Sequence, residues 1–222
     1  IDKAARAGAV TLLWLNEAGY TAERISEATE GVKGGPEADD EFGWSGSVHE
    51  GLLAIGVPGE GQGDLGQAGR VYLFEVSGTS VKTLQYLNQN SEGVAGTAEA
   101  GDRFGESVTV FRPCDGALGV LVGAPGETAG DDPQGAGAIQ TLRVSRAQCT
   151  SVIALSETTA GLPSPPLAAA GGVTVLRQDP DPDAAEPIAA VLTGGGVVIL
   201  QPPFTQIGER FDVSGQLAAP LG

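Results

Sequence analysis

The residues whose types invite chemistry are one histidine, two cysteines and a few groups of closely spaced carboxylates. His49, the only histidine, lies in "SVHEGLL" beside Glu50. A Ser-His-Asp triad would need it as the base, yet no Gly-x-Ser-x-Gly elbow accompanies it. It therefore reads as a turn histidine. One His and two Cys also fall short of a tetrahedral zinc set. In "QDPDPDAAEP", Asp179, Asp181, Asp183 and Glu186 alternate as carboxylates do in a calcium loop. Pro180 and Pro182 replace flexible positions there, and no glycine makes the sharp turn, so the stretch reads either as a Ca²⁺ site or as a solvated acidic loop between strands. "GVPGE" at Gly56 and "GAPGE" at Gly123 have the look of phosphate-cradling loops, but the helix and lysine such a loop needs do not follow. No residue is assigned a catalytic role.

Both Gly-x-Pro-Gly-Glu segments belong to a longer repeat that has to position them. "EFGWSGSVHEGLLAIGVPGEGQGDLGQAGRVYLF" and "RFGESVTVFRPCDGALGVLVGAPGETAGDDPQGAGAIQTL" share one order: Phe-Gly, an apolar run, Gly-x-Pro-Gly-Glu, a polar Gly-rich loop, Ala-Gly and a second apolar run. Phe42-Gly43 and Phe104-Gly105 are 62 positions apart, the two Gly-x-Pro-Gly-Glu segments 67, and Ala68 and Ala136 68. A third Ala-Gly begins at Ala7. Each unit predicts four strands. "ESVTVF" alternates with period two, "ALGVLVGAP" is a continuous apolar run suited to burial on both faces, and "GAIQTLRV" and "TSVIALS" follow. Four short antiparallel strands at so long a period are the pattern of a β-propeller blade. The glycines of Phe-Gly and Ala-Gly would let backbones approach closely, and the Pro-Gly step predicts a turn with positive φ at the glycine. Phe42 and Phe104 would be wedges between blades.

Composition agrees with an all-β chain. Its 222 residues include 35 Gly and 14 Pro, too much punctuation for a helical protein. No run of 18 apolar residues is present. The net charge of −16, with scattered Lys and Arg, disfavours nucleic acid and anionic membrane surfaces as partners. It suits an acidic, secreted surface.

These residues resemble the FG-GAP repeats of integrin-α-type β-propellers. The resemblance rests on "DDEFGWS…AIGVPGE…AGRVYLF" and "GDRFGES…VLVGAPGE…AGAIQTL", and it is strongest over residues 1–160. It implies blade-motif roles for Phe42, Gly43, Gly56, Pro58 and Gly59, and for Phe104, Gly105, Gly123, Pro125 and Gly126. It further implies a propeller, commonly seven-bladed and often extracellular, that binds other macromolecules; secreted bacterial examples share the acidic, Ala/Gly/Val-rich composition. The family's calcium loop, Asp-x-Asp-x-Asp-Gly between the first two strands, is degenerate here. "SVHEGLL" (Ser47–Leu53) and "FRPCDGALG" (Phe111–Gly119) lack the ligand count. No other cofactor is implied.

The expected organisation is a partial blade over 1–33 (strands three and four), blades over 34–96 and 97–160, and a degenerate blade over 161–222, in which "GERFDVSGQLAAPLG" echoes the repeat in compressed form. About three and a half blades leave apolar faces and free edges, which a partner would cover: an N-terminal remainder of the same propeller or another copy. A compact four-blade assembly is the alternative. Cys114 and Cys149 fall in turns at the same end of one blade. A disulfide there would close a loop of about 35 residues and contribute roughly 3–4 kcal/mol; two buried free thiols remain the other reading. Glu60 and Asp64, with Glu127, Asp131 and Asp132 in the equivalent loop, are expected along one rim. Trp14, Trp44, Tyr72 and Tyr86 are expected to pack between blades, with Trp44 as a candidate for rim exposure. The function expected is an extracellular binding or scaffold module for a protein or cell-surface partner, not an enzyme in itself. The alternatives are the accessory propeller of a secreted hydrolase and a carbohydrate-binding propeller.

Overall fold

The computed structural model describes residues 4–111, 118–128, 137–144, 149–156, 172–177, 188–193, 196–201 and 206–211. Fourteen strands and no helix occur among them. A two-stranded sheet pairs β1 (Val10–Asn16) with β2 (Gly19–Ile25). Three four-stranded sheets follow, each an antiparallel meander in which every strand pairs with its neighbours in sequence. The first holds β3 (Ser45–His49), β4 (Leu52–Val57), β5 (Arg70–Ser77) and β6 (Ser80–Leu87). The second holds β7 (Ser107–Phe111), β8 (Leu118–Ala124), β9 (Ala138–Val144) and β10 (Cys149–Ser156). The third holds β11 (Gly172–Arg177), β12 (Ile188–Thr193), β13 (Gly196–Gln201) and β14 (Gln206–Phe211). The chain is all-β.

Sequence patterning explains the layers. β4, "LLAIGV", has no polar side chain and is buried at every position, because its sheet is covered on both faces. Leu52, Ala54, Val71 and Leu73 pack on one face with Phe104, Val108, Val120 and Val122 of the following sheet. Leu53, Ile55, Val57 and Phe74 pack on the other with Ile25 and Phe42. β6 alternates along "SVKTLQYL", as a strand with one solvated face does. The first strands stand side by side, β3 against β7 and β7 against β11.

A repeated set of backbone hydrogen bonds fixes the entry to each sheet and ties it to the sheet before. Phe42 N donates to Ala7 O at 2.8 Å, and Phe104 N to Ala68 O at 3.1 Å. Gly43 N donates to Gly56 O at 3.2 Å, and Gly105 N to Gly123 O at 3.0 Å. Gly59 N donates to Asp40 O at 3.0 Å, and Gly126 N to Asp102 O at 3.1 Å. Phe-Gly, Ala-Gly and Gly-x-Pro-Gly therefore meet at one joint, built twice. Phe42 and Phe104 are buried there.

The joint corrects one reading of its glycines. Pro58-Gly59 does form a turn, closed by Glu60 N to Val57 O at 3.3 Å, and Pro125-Gly126 repeats it with Glu127 N to Ala124 O at 3.3 Å. Neither Gly59 nor Gly126 has positive φ. Gly59 is needed for space, since a Cβ on it would sit 1.7 Å from Asp39 O. Gly69, by contrast, has φ +87° and also touches Phe104 backbone.

In the C-terminal region Arg210-Phe211 ends β14, the fourth strand of its sheet, and the rest of the stretch read as a compressed repeat, 212–222, lies outside the described residues. Cys149 begins β10 instead of lying in a turn. Cys114, and with it the expected disulfide, lies outside the described residues, as do Asp179, Asp181, Asp183, Glu186, Asp131 and Asp132.

Candidate functional site

Most of the buried polar side chains among the described residues lie at the two joints. The first is set between β1–β2 and the sheet of β3–β6. Glu27 follows β2, Asp40 sits just before Phe42, and Glu60 ends the Pro58-Gly59 turn. All three are buried, at 4%, 2% and 8% exposure, and one carboxylate oxygen from each lies within 4.8 Å of the others. β5 adds Arg70 and Tyr72. Arg70 Nη2 pairs with Glu60 Oε1 at 2.9 Å, and its Nη1 donates to the Tyr72 hydroxyl at 2.9 Å. The Tyr72 hydroxyl donates to Glu27 Oε1 at 2.7 Å and shares that proton with the Lys33 carbonyl. The Arg70 guanidinium also lies 4.7 Å from the centre of the Tyr86 ring, and the Tyr72 and Tyr86 rings are 6.1 Å apart. Gly34 closes the pocket, since a Cβ there would lie 3.0 Å from both Arg70 Nη1 and Tyr72 Oη.

Burial sets the electrostatics. It raises the Glu27 carboxyl far above the usual carboxylate range, against the Tyr72 hydrogen bond and with the Glu60 charge adding to the rise. Burial also raises Glu60, while Arg70 opposes the change. The Tyr72 hydroxyl is pushed up by burial as well. Glu27 Oε2 and Glu60 Oε2 have no hydrogen-bond partner.

The second joint carries a variant of the same cluster. Gln89, Asp102 and Glu127 replace Glu27, Asp40 and Glu60, and Gln140 stands where Tyr72 does. Gln140 clamps residue 95 at both backbone groups, accepting from Ala95 N at 3.2 Å and donating to Ala95 O at 2.8 Å. Asp102 accepts from Glu99 N at 2.5 Å, and Gln89 donates to Glu127. Burial lifts the Asp102 carboxyl to about 6. Burial, then the Asp102 charge, lifts Glu127 to about 7.

Several expected residues are placed differently. Glu60 does not line a rim; it is interior, whereas Asp64 in the same loop is exposed. His49 pairs with Glu50 at 3.5 Å at the β3–β4 hairpin. That hairpin turns on two residues, Glu50 (φ 46°) and Gly51 (φ 78°), with His49 facing Leu52 across it. Positive φ at both positions is the I′ geometry that suits a tight hairpin, and it leaves no ligand-bearing loop at Ser47–Leu53. Tyr72 and Tyr86 pack between sheets, as expected of them, while Trp44 is 56% exposed with Arg103 5.7 Å from its ring.

Glu27, Asp40 and Arg70 escaped the sequence reading. A signal for the first two was present. "SEATEGVKGGPEADDEFG" (26–43) aligns with "NQNSEGVAGTAEAGDRFG" (88–105) at a constant offset of 62, which matches Glu27 to Gln89, Glu37 to Glu99 and Asp40 to Asp102.

No family model matches the chain. No curated protein matches it. Among solved structures, an S. cerevisiae assembly of variant Dbp5 with Nup159, variant Gle1, IP6 and ADP aligns at 13% identity and a TM-score of 0.46, over 96% of this chain. This chain spans 52% of the length of that one.

Proposed function

We propose that the chain is part of an FG-GAP-type β-propeller that acts as a binding or scaffold module and performs no catalysis itself. The observation that carries this reading is the state of the β1–β2 sheet. Leu13, Leu15 and Tyr20 are 57%, 84% and 67% exposed. Leu13 faces Ala22 across the pair, and Leu15 faces Tyr20, so one side of the sheet is an apolar surface. β1 pairs only with β2 among the described residues, whereas β5 and β9, the corresponding third strands, each pair on both sides. An unpaired edge beside exposed apolar side chains is a surface made for another polypeptide. In a propeller the strands missing beside β1 would come from an N-terminal remainder of the same ring or from another copy. The acidic clusters support a non-catalytic reading, since their members bond chiefly to one another and to the backbone at the joints.

The native mass tests this reading. Each chain weighs 22.3 kDa. A native particle well above that mass, containing a second copy or an N-terminal fragment, supports it. A monodisperse single chain that buries the β1–β2 surface within itself rejects it.

A further inference from the structure

We propose that Glu27, Asp40 and Glu60 bind one hard divalent cation, calcium by preference, at the joint between the β1–β2 and β3–β6 sheets. The site stands on placement and charge. Three buried side chains bring carboxylate oxygens within 4.8 Å of one another. Burial favours a proton on Glu27 when no ion is bound; once a cation displaces it, the three carboxylates and the Arg70 guanidinium together carry a charge of −2. Arg70 holds Tyr72 through Nη1 and Glu60 through Nη2, its Nε has no partner, and its single charge offsets one carboxylate of the three. Carboxylates that face each other away from water are neutralised either by protons or by a positive charge between them. One divalent ion brings this cluster to neutrality.

An independent observation points the same way. Glu27 Oε2 and Glu60 Oε2 are buried acceptors with no donor, on side chains only 4% and 8% exposed. Buried acceptors are ordinarily satisfied, so two orphans in one cluster mark the place of a missing electrophile. Every available donor is oxygen, which selects hard cations over zinc or copper. Calcium accepts six to eight oxygens in flexible geometry, whereas magnesium demands an octahedron and keeps its water. The ion would tie the segment after β2 to the β4–β5 turn and so lock the two sheets together. The site is separate from the β3–β4 hairpin.

The next joint supplies the control. Gln89 occupies the position of Glu27 there, so the fold already accommodates glutamine at this point of the repeat. The full chain, stripped with EDTA and exchanged into neutral buffer, is titrated with CaCl2 and in parallel with MgCl2 by calorimetry. One calcium per chain is expected, with a Kd at or below about 10⁻³ M and weaker magnesium binding. Glu27→Gln is expected to weaken calcium binding about tenfold or more while keeping the β-sheet circular dichroism. Terbium gives a local readout. Energy transfer from Tyr72, whose hydroxyl is 2.7 Å from Glu27 Oε1, should light the bound ion. Calcium should quench that emission by displacement, and Tyr72→Phe should dim it. No heat and no terbium emission at about 10 mM ion would overturn the proposal. So would calcium binding that Glu27→Gln leaves unchanged, since the ion would then sit elsewhere. If Glu27→Gln fails to fold, Asp40→Asn with the terbium assay decides on the same terms.

Discussion

Arg103 reaches Glu41 at 3.0 Å, and the two occupy the same position of successive repeats. Both take left-handed backbone, with φ of 55° and 63°, immediately before the wedge phenylalanine. Glu41 also accepts from Arg6 at 2.5 Å, and Arg103 holds Glu106 at 2.6 Å. A row of alternating charge thus crosses two sheet joints. It works because neighbouring repeats carry opposite signs where their backbones are equivalent.

That row predicts unequal losses. The Glu41 side chain is 9% exposed and takes two charge-assisted hydrogen bonds, so Glu41→Ala should cost about 2 kcal/mol. Arg6 is 65% exposed, and Arg6→Ala should cost less than about 1 kcal/mol and fade further in high salt. Urea denaturation at low and high salt measures both. Equal losses for the two variants would contradict the row as drawn.

The joint glycines make a second prediction. A Cβ on Gly59 would meet Asp39 O at 1.7 Å, against backbone that cannot rotate away. Gly59→Ala should cost about 3 kcal/mol or more. Gly35 has open space and no positive φ, so Gly35→Ala should be neutral or stabilise by up to about 1 kcal/mol. The difference in urea midpoint between the two variants checks the argument.

The second acidic cluster should make stability depend on pH. The folded-state pKa of Glu127 rises to about 7 and that of Asp102 to about 6, both chiefly through burial. The folded protein then holds protons that the unfolded chain releases near pH 4 to 4.5. Their contribution is complete below the unfolded pKa and is lost as pH rises through about 6 to 7. The melting temperature should therefore fall between pH 5 and 8. Glu127→Gln should flatten the fall, because it keeps the acceptor oxygen and removes the titration. A slope unchanged in this variant would reject the assignment.

How much was legible depends on the range of the cause. The strands of "ESVTVF" and "ALGVLVGAP" follow from local periodicity, and the structure has β7 and β8 there. Phe104 was legible as a wedge because the repeat shows the same residue twice, and it is buried between two sheets. The positive φ expected at Gly59 fails because contact with Asp39, not local turn geometry, selects glycine there. Glu60 looked like an exposed loop residue; only the fold brings Glu27 and Asp40 over it. Arg70, which pairs with Glu60, has Ala138 as its counterpart in the next repeat, so repetition could not have flagged it.

The β1–β2 surface yields the last prediction. Leu15 is 84% exposed and faces Tyr20 at the end of the pair, so its side chain contributes little to the stability of a lone chain. A lysine there leaves folding intact, because the solvated strand face accepts it. The same lysine places a charge within any strand-on-sheet contact that covers Leu13 and Tyr20, and burying it without a partner charge is costly. Leu15→Lys should therefore keep the urea midpoint of the parent within about 0.5 kcal/mol while shifting the native mass toward the single chain. A control at Thr11, on the same face but nearer the joint, should behave in the same way if the contact covers the whole face. A fall in stability with no change in mass would mean that Leu15 packs within its own chain, and the interaction surface would then have to be sought elsewhere.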